Sequence, residues 1–263
     1  MLEFVCQKDR AVFLRDKDNH LSPNELRRIR KIVEELKKYR PIQYILGETE
    51  FYGLKLIVNE QVLIPRPGTE ELVDEILHFL SAQRREKEGG VCLDIGTGSG
   101  CMAVSLAKNL PDFSVYALDI SAQALEVARQ NAKLHRVNIH FFQQDMMDEQ
   151  ALSSQALPRA WDLMVSNPPY VLPSEKNEMS PNVLNYEPHQ ALFVPEEKPL
   201  LFYERIADLG LRYLKKNGLL FFEIPARGGE AIVRMLKNKG YETVELLKDI
   251  SGKDRMVKAC GLS

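Results

Sequence analysis

Cysteine is scarce and scattered in this 263-residue chain. Cys6, Cys92, Cys101 and Cys260 form no CxxC pair and have no histidine at metal-ligand spacing, which argues against a zinc site or a disulfide framework. They read as thiols of a reducing compartment, and no metal centre is expected. Long apolar runs are missing as well: nowhere does the chain reach the roughly 18 consecutive apolar residues of a membrane span. The opening stretch MLEFVCQKDRAVFL is broken by acidic and basic residues, so it lacks a signal-peptide core, and a cytoplasmic protein without membrane attachment is expected. Charge of one sign is not in excess either, with 35 Lys and Arg against 37 Asp and Glu and no dense basic block. That balance disfavours bulk binding to nucleic acid. Internal repeats and low-complexity tracts are absent.

What is present is an ordinary globular composition, 44% hydrophobic and 27% charged, long enough for two unequal parts. In LSPNELRRIRKIVEELKKYRP, Ser22 is a candidate N-cap, Pro23 takes the first helical position, and Glu25 completes a capping box. Leu26, Ile29, Val33 and Leu36 follow at helical spacing, and Pro41 ends the run. EFYGLKLIVNEQVLIP alternates around Gly53 and Asn59 and predicts a hairpin. TEELVDEILHFL resumes helical periodicity, and SAQRREKEGG reads as a polar connector.

From Val91 onward strands and helices alternate. Apolar strands are expected at VCLDI, VYALDI, IHFFQQD, DLMVSN and GLLFFEI. Helices are expected at CMAVSLAKNL, SAQALEVARQNAKLH, PLLFYERIADLGLRYLKK and GGEAIVRMLKNKG. Such alternation calls for a mostly parallel, doubly wound α/β sheet with helices on both faces, and YETVELLKDISGKDRMVKAC adds an antiparallel pair at its edge. The expected organisation is a helical part over 1–45, a hairpin linker over 46–66 and an α/β domain over 67–263.

The first of these strands runs into LDIGTGSGCMAVSLA. Gly96, Gly98 and Gly100 at a strand-to-helix turn allow backbone conformations closed to other residues and close approach of a ligand, although a purely structural turn could share the pattern. The second strand ends in Asp119, nineteen residues after Gly100, where a carboxylate can accept both hydroxyls of a ribose. The pattern is GxGxG preceded by Asp94, not GxGxxG. A carboxylate there would repel a pyrophosphate and suits a cationic, amino-acid-bearing ligand such as S-adenosyl-L-methionine better than a dinucleotide. Asp145 in QQDMM could reach the adenine amino group, with Met146 against the ring or simply in the core.

In a doubly wound sheet, ligands bind at the carboxyl ends of strands, so VSNPPY should face the same crevice. Pro168 and Pro169 cannot donate to a sheet ladder; they end the strand and leave carbonyls free. The Asn167 side chain and a prolyl carbonyl then supply two acceptors for the two N–H bonds of a planar NH2 group, and Tyr170 can stack on the group that carries it. Such a site selects an amide or an aromatic amine. His189 in EPHQALF reads as a loop-packing residue, because the chemistry needs no base.

The combination of DIGTGSG, ALDIS and VSNPPY resembles the class I S-adenosylmethionine-dependent methyltransferases that act on nitrogen. RPIQYILGETEFYG (Arg40 to Gly53), VLIPRPGTEELV (Val62 to Val73) and NYEPHQALF (Asn185 to Phe193) are similar to the PrmC/HemK family, the peptide chain release factor glutamine N5-methyltransferases. The resemblance implies a seven-stranded class I methyltransferase sheet and methylation of the glutamine in the Gly-Gly-Gln motif of class I release factors. It further implies cofactor binding by Asp94, Gly96, Thr97, Gly98, Ser99, Gly100, Asp119, Ile120, Asp145, Met146 and Asn167. Asn167, Pro168, Pro169 and Tyr170 would hold the glutamine, the N-terminal part would contact the release factor, and a monomer is expected. Two departures stand out: Gly68 where the family usually has an acid, and Pro225-Ala226 where it tends to have glycine after Glu-Ile or Glu-Leu.

Two other readings use the same motifs. A nucleic-acid amino methylase would apply this chemistry to an extruded base, but residues 1–80 hold 13 basic against 14 acidic residues, a poor footprint for phosphates. A non-catalytic cofactor-binding scaffold would have no use for Asn167 and Tyr170.

Overall fold

The computed structural model describes residues 1–8, 10–15, 20–83, 89–148, 157–158 and 160–260. The N-terminal part is helical: α1 (Leu2–Cys6), α2 (Arg10–Arg15), α3 (Pro23–Lys37) and α4 (Ile42–Leu46). The Ser22 side chain accepts from the Glu25 N–H while the Glu25 carboxylate accepts from the Ser22 N–H, so the expected capping box starts α3. The helix stops at Lys37, before Pro41, and Tyr39 takes a left-handed φ of 64°. Its apolar stripe is only partly covered. Ile32 is buried, whereas Leu26 and Leu36 remain 39% and 37% exposed. A small helical unit has too little surface to bury the whole stripe.

Strands β1 (Glu48–Phe51) and β2 (Leu54–Ile57) form an antiparallel hairpin around Tyr52 and Gly53, a separate two-stranded sheet. The hairpin packs on the larger part, because Phe51 and Leu56 are fully buried in the same cluster as Leu72, Val73 and Ile76. Helix α5 (Pro67–Gln83) follows and absorbs the first three residues of the expected connector. Residues 84–88 of that connector lie outside the described residues.

The core is a seven-stranded sheet built from β3 (Gly90–Ile95), β4 (Phe113–Asp119), β5 (Ile139–Gln143), β6 (Trp161–Ser166), β7 (Leu214–Glu223), β8 (Thr243–Lys248) and β9 (Asp254–Cys260). Their order is β5-β4-β3-β6-β7-β9-β8, with β5 through β7 parallel and β9 antiparallel to both neighbours. The crossover helices are α6 (Cys101–Asn109), α7 (Ala122–His135), α9 (Leu201–Tyr213) and α10 (Gly229–Lys239). Successive strand residues point to opposite faces. Cys92, Val115, Val165 and Phe221 therefore join the core under α5 and α6, and Leu93, Leu118, Met164 and Phe222 join the one under α9 and α10.

One boundary differs from the sequence reading. Lys215 and Lys216 read as the end of a helix but belong to β7, which starts at Leu214 directly after α9. Leu214 pairs with Trp161 across an irregular register, and Lys215 is held by Asp162 at 2.7 Å. Strand pairing overrides helical propensity here. Between β6 and α9 the chain makes a 3₁₀ turn (Pro173–Glu178), the short helix α8 (Pro181–Tyr186) and a second 3₁₀ turn (His189–Ala191), none of which periodicity announced.

Candidate active site

The strand order reverses between β3 and β6, which pair in parallel with Ile95 opposite Ser166. The next residue of one strand is Gly96 and of the other Asn167, so the glycine loop and the Asn-Pro-Pro-Tyr segment leave the sheet side by side. The Ser166 hydroxyl donates to the Ile95 carbonyl at 2.7 Å and ties the two ends together. Ligands of open α/β sheets bind at this switch point.

A cavity of about 310 Å³ opens there. Of the residues expected from sequence, Gly96, Gly98, Asp119, Ile120, Asp145, Met146, Asn167, Pro168 and Pro169 line it. Gly96 and Gly98 have φ of 74° and 55°, where a Cβ is unfavourable, and the space beside Gly98 is open. The Gly98 N–H donates to Asp119 Oδ2 at 2.8 Å and the Ser121 N–H to Oδ1 at 2.9 Å. Both carboxylate oxygens are thereby aimed by backbone, with lone pairs left over for a ligand's hydroxyls. Burial raises the Asp119 carboxyl above its ordinary range, against the lowering effect of those N–H groups.

Five expected residues do not line the cavity. Asp94 is fully buried beneath the loop, where Oδ2 accepts from the Thr97 hydroxyl at 2.6 Å and the Ala103 N–H at 3.2 Å. Its Oδ1 has no partner among the described residues. Burial pushes this carboxyl up to about 7. Thr97 and Ser99 face inward, at 3% and 2% exposure. Gly100 serves helix packing: a Cβ there would lie 3.0 Å from the Ala128 Cβ. The half-buried Tyr170 packs against the core under α9 and α10 instead of facing the cavity. Asn167, Pro168 and Pro169 all line the cavity, and Tyr170 is the residue of the segment that packs into the core instead.

Other lining residues carried no signal of their own. Gln61, Val62 and Leu63 come from the segment after the hairpin, Pro188, Gln190 and Ala191 from the second 3₁₀ turn, and Phe202 from the start of α9. Val62, Leu63, Pro188, Gln190 and Ala191 lie within stretches already singled out for family resemblance, and Gln61 directly precedes one of them. Their closure over the site depends on Glu187, 3% exposed, which accepts from the Ile64 N–H at 3.1 Å and from Arg66 at 2.5 Å. The returning chain is pinned again where the Val171 N–H meets the Leu192 carbonyl and the Val194 N–H meets the Val171 carbonyl. His189 packs edge-on to Phe193 and bonds the Leu184 carbonyl, which agrees with a structural role.

The arrangement brings a glycine-rich backbone turn, a backbone-held carboxylate and the Asn167-Pro168-Pro169 segment together in one crevice. Residues 69–185 match the family described as Methyltransferase small domain, and residues 1–47 match the PrmC N-terminal domain. The chain is a methyltransferase with the matching seven-stranded fold. It is 45% identical, over 98% of its length and 88% of the relative's, to the release factor glutamine methyltransferase of Flavobacterium psychrophilum. It is 46% identical to that of Bacteroides thetaiotaomicron over 92% of this chain and 84% of the other. The chain belongs to the release factor glutamine methyltransferase family.

Solved structures agree on the fold. A methyltransferase from Pyrococcus furiosus superposes with a TM-score of 0.54 at 17% identity, covering 92% of this chain and 100% of the other. The T. Thermophilus 16S rRNA N2 G1207 methyltransferase in complex with AdoMet and guanosine gives 0.56 at 13% identity, covering 82% and 50%.

Proposed function

We propose that this enzyme transfers a methyl group from S-adenosyl-L-methionine to the side-chain amide nitrogen, N5, of the glutamine in the Gly-Gly-Gln motif of class I peptide chain release factors. The observation that carries this reading is the placement of Asn167 and Pro168 on the wall of the cavity cradled by Gly96, Gly98 and Asp119. The names of its relatives at 45–46% identity point to the same substrate.

The residues present fit the cofactor. Open space beside Gly98 and the backbone-held Asp119 suit a nucleoside, with Ile120, Asp145 and Met146 around its base. The half-satisfied Asp94 beneath the loop supplies a negative field for a cationic amino-acid group, acting through the loop and not by lining the cavity. When bound, S-adenosyl-L-methionine supplies an electrophilic methyl on a sulfonium sulfur. Asn167 Oδ1 and the Pro168 carbonyl accept the two N–H bonds of the substrate amide and set the nitrogen's orientation. As positive charge develops on that nitrogen, the same two acceptors stabilise it. The proton is released late to solvent, so no general base is required. Tyr170 buttresses this segment from the core side.

Residues 1–45 are proposed to recognise the release factor, with the hairpin of 46–66 holding them against the catalytic domain of 67–263. The enzyme is assigned to the cytoplasm as a monomer. No helix among the described residues is long and apolar enough to cross a membrane. The test is mass spectrometry of a purified class I release factor after incubation with the enzyme and S-adenosyl-L-methionine. One methyl on the Gly-Gly-Gln glutamine is the expected result. An unmodified glutamine alongside methylated RNA would replace this reading with the nucleic-acid one.

A further inference from the structure

Behind Asn167 lies a buried polar chain that the reaction as written does not use. Thr69, in the first turn of α5, is 3% exposed, and Glu223, the last residue of β7, is 2% exposed. The Thr69 hydroxyl donates to Glu223 Oε2 at 2.5 Å, and Asn167 Nδ2 donates to Thr69 Oγ1 at 3.3 Å. The Asn167 amide also reaches Glu223 itself. The other end of this residue is fixed as well: the Glu223 carbonyl accepts from the Tyr203 hydroxyl at 3.1 Å, and Ile224 N–H bonds the Arg255 carbonyl on β9.

We infer that Thr69 and Glu223 are positioning residues that dictate which end of the Asn167 amide faces the substrate. The direction follows from donor and acceptor chemistry. An ionised carboxylate can only accept, so the single hydroxyl proton of Thr69 is committed to Glu223. Thr69 then offers Asn167 a lone pair, and only the NH2 end of Asn167 can answer it. Oδ1 is left pointing the other way, as the acceptor that a substrate amide N–H requires. Without this chain the asparagine could turn over and present its NH2 to the substrate NH2, donor against donor. The carboxylate is anchored far from Asn167 in sequence; burial raises its carboxyl above the ordinary range, and the Thr69 hydroxyl, Arg255, Arg66 and the Asn167 amide oppose that rise by favouring the charged form.

This inference rests on the proposed role of Asn167 toward a substrate amide. The full-length enzyme, its Thr69→Val, Thr69→Ala and Thr69→Ser variants, S-adenosyl-L-methionine and a purified class I release factor supply the test. Thr69→Val and Thr69→Ala are expected to lose about 10- to 100-fold in kcat, the size of one misdirected hydrogen bond in the transition state. KM for the release factor and calorimetric affinity for the cofactor should stay within about 2-fold, and Thr69→Ser, which keeps the hydroxyl, should recover most of the rate. Two hydroxyl-free variants of different volume guard against one failing to fold, which cofactor binding reveals. Full kcat in a folded Thr69→Val or Thr69→Ala variant overturns the inference alone, as does a loss confined to KM or a rate that Thr69→Ser does not restore. A wild-type enzyme that leaves the release factor unmethylated overturns the functional reading and this inference with it.

Discussion

Asn131 on α7 reads the backbone of Ile57 at the end of β2 from both sides: its Oδ1 accepts from the Ile57 N–H at 2.7 Å, and its Nδ2 donates to the Ile57 carbonyl at 3.0 Å. The same Nδ2 donates to the Ser99 carbonyl in the glycine loop at 2.9 Å. One fully buried amide thus fastens the hairpin to the cofactor cradle. Replacing it by leucine strands backbone donors and acceptors in the interior. Asn131→Leu should lower unfolding free energy by about 2–3 kcal/mol, the cost of leaving such groups unsatisfied, and urea titration would measure it.

The glycines of the loop should separate into two kinds. At Gly98 an added Cβ meets nothing within 4 Å, so Gly98→Ala should cost about 1 kcal/mol of stability for its left-handed backbone while weakening cofactor binding. At Gly100 the backbone is also left-handed, and the methyl would press on Ala128, with Cβ at 3.0 Å and Cα at 3.2 Å. Gly100→Ala should therefore lose about 2–4 kcal/mol, combining strain with overpacking. Thermal melts paired with calorimetric titration of S-adenosyl-L-methionine distinguish the two; equal melting losses would contradict the assignment.

Asp94 predicts a pH dependence. Burial holds its carboxyl up to about 7 in the folded chain, above the ordinary value of 3.8. The folded protein therefore keeps a proton that the unfolded chain has released, and this contribution favours the folded state at low pH and is lost as pH rises toward 7. Relative to Asp94→Asn, the ligand-free wild type should become less stable from about pH 4 to pH 7 and level off above that. A cationic ligand favours the charged carboxylate, so cofactor affinity should rise over the same window in the wild type and stay flat in Asp94→Asn. Calorimetry in two buffers of different ionisation enthalpy would register the released proton.

Asn167→Ala should remove turnover while leaving the cradle of Gly96, Gly98 and Asp119 in place. A loss of about 100- to 1000-fold in kcat is expected, as for removal of one preorganised group facing developing charge. Cofactor affinity should change only a few-fold. Single-turnover assays with the release factor check this; unimpaired turnover would remove Asn167 from its proposed role.

Much of the cavity's lining was legible in the sequence, because its motifs are local. The glycines, Asp119 and Asn-Pro-Pro-Tyr each follow a strand directly, and strand ends in a doubly wound sheet converge on one edge. Reading failed where a residue's direction depends on its neighbours. Asp94, Thr97 and Ser99 share the loop's sequence signature but turn into the core, and Tyr170 turns from the cavity to pack against the core under α9 and α10.

The sequence by itself determined the order of the elements, the capping of α3, the parallel sheet and the family, since propensity, periodicity and contiguous motifs act over a few residues. Tertiary structure decided which acid meets which donor. Thr69 and Glu223 stand 154 positions apart and meet only because α5 packs on the face of β7 that Glu223 shares with Phe221. Glu187 reaches Ile64 and Arg66 only because the chain returns over the site between Val171 and Val194. No local pattern encodes such pairings, because burial makes them obligatory only after the sheet and its covering helices have excluded water.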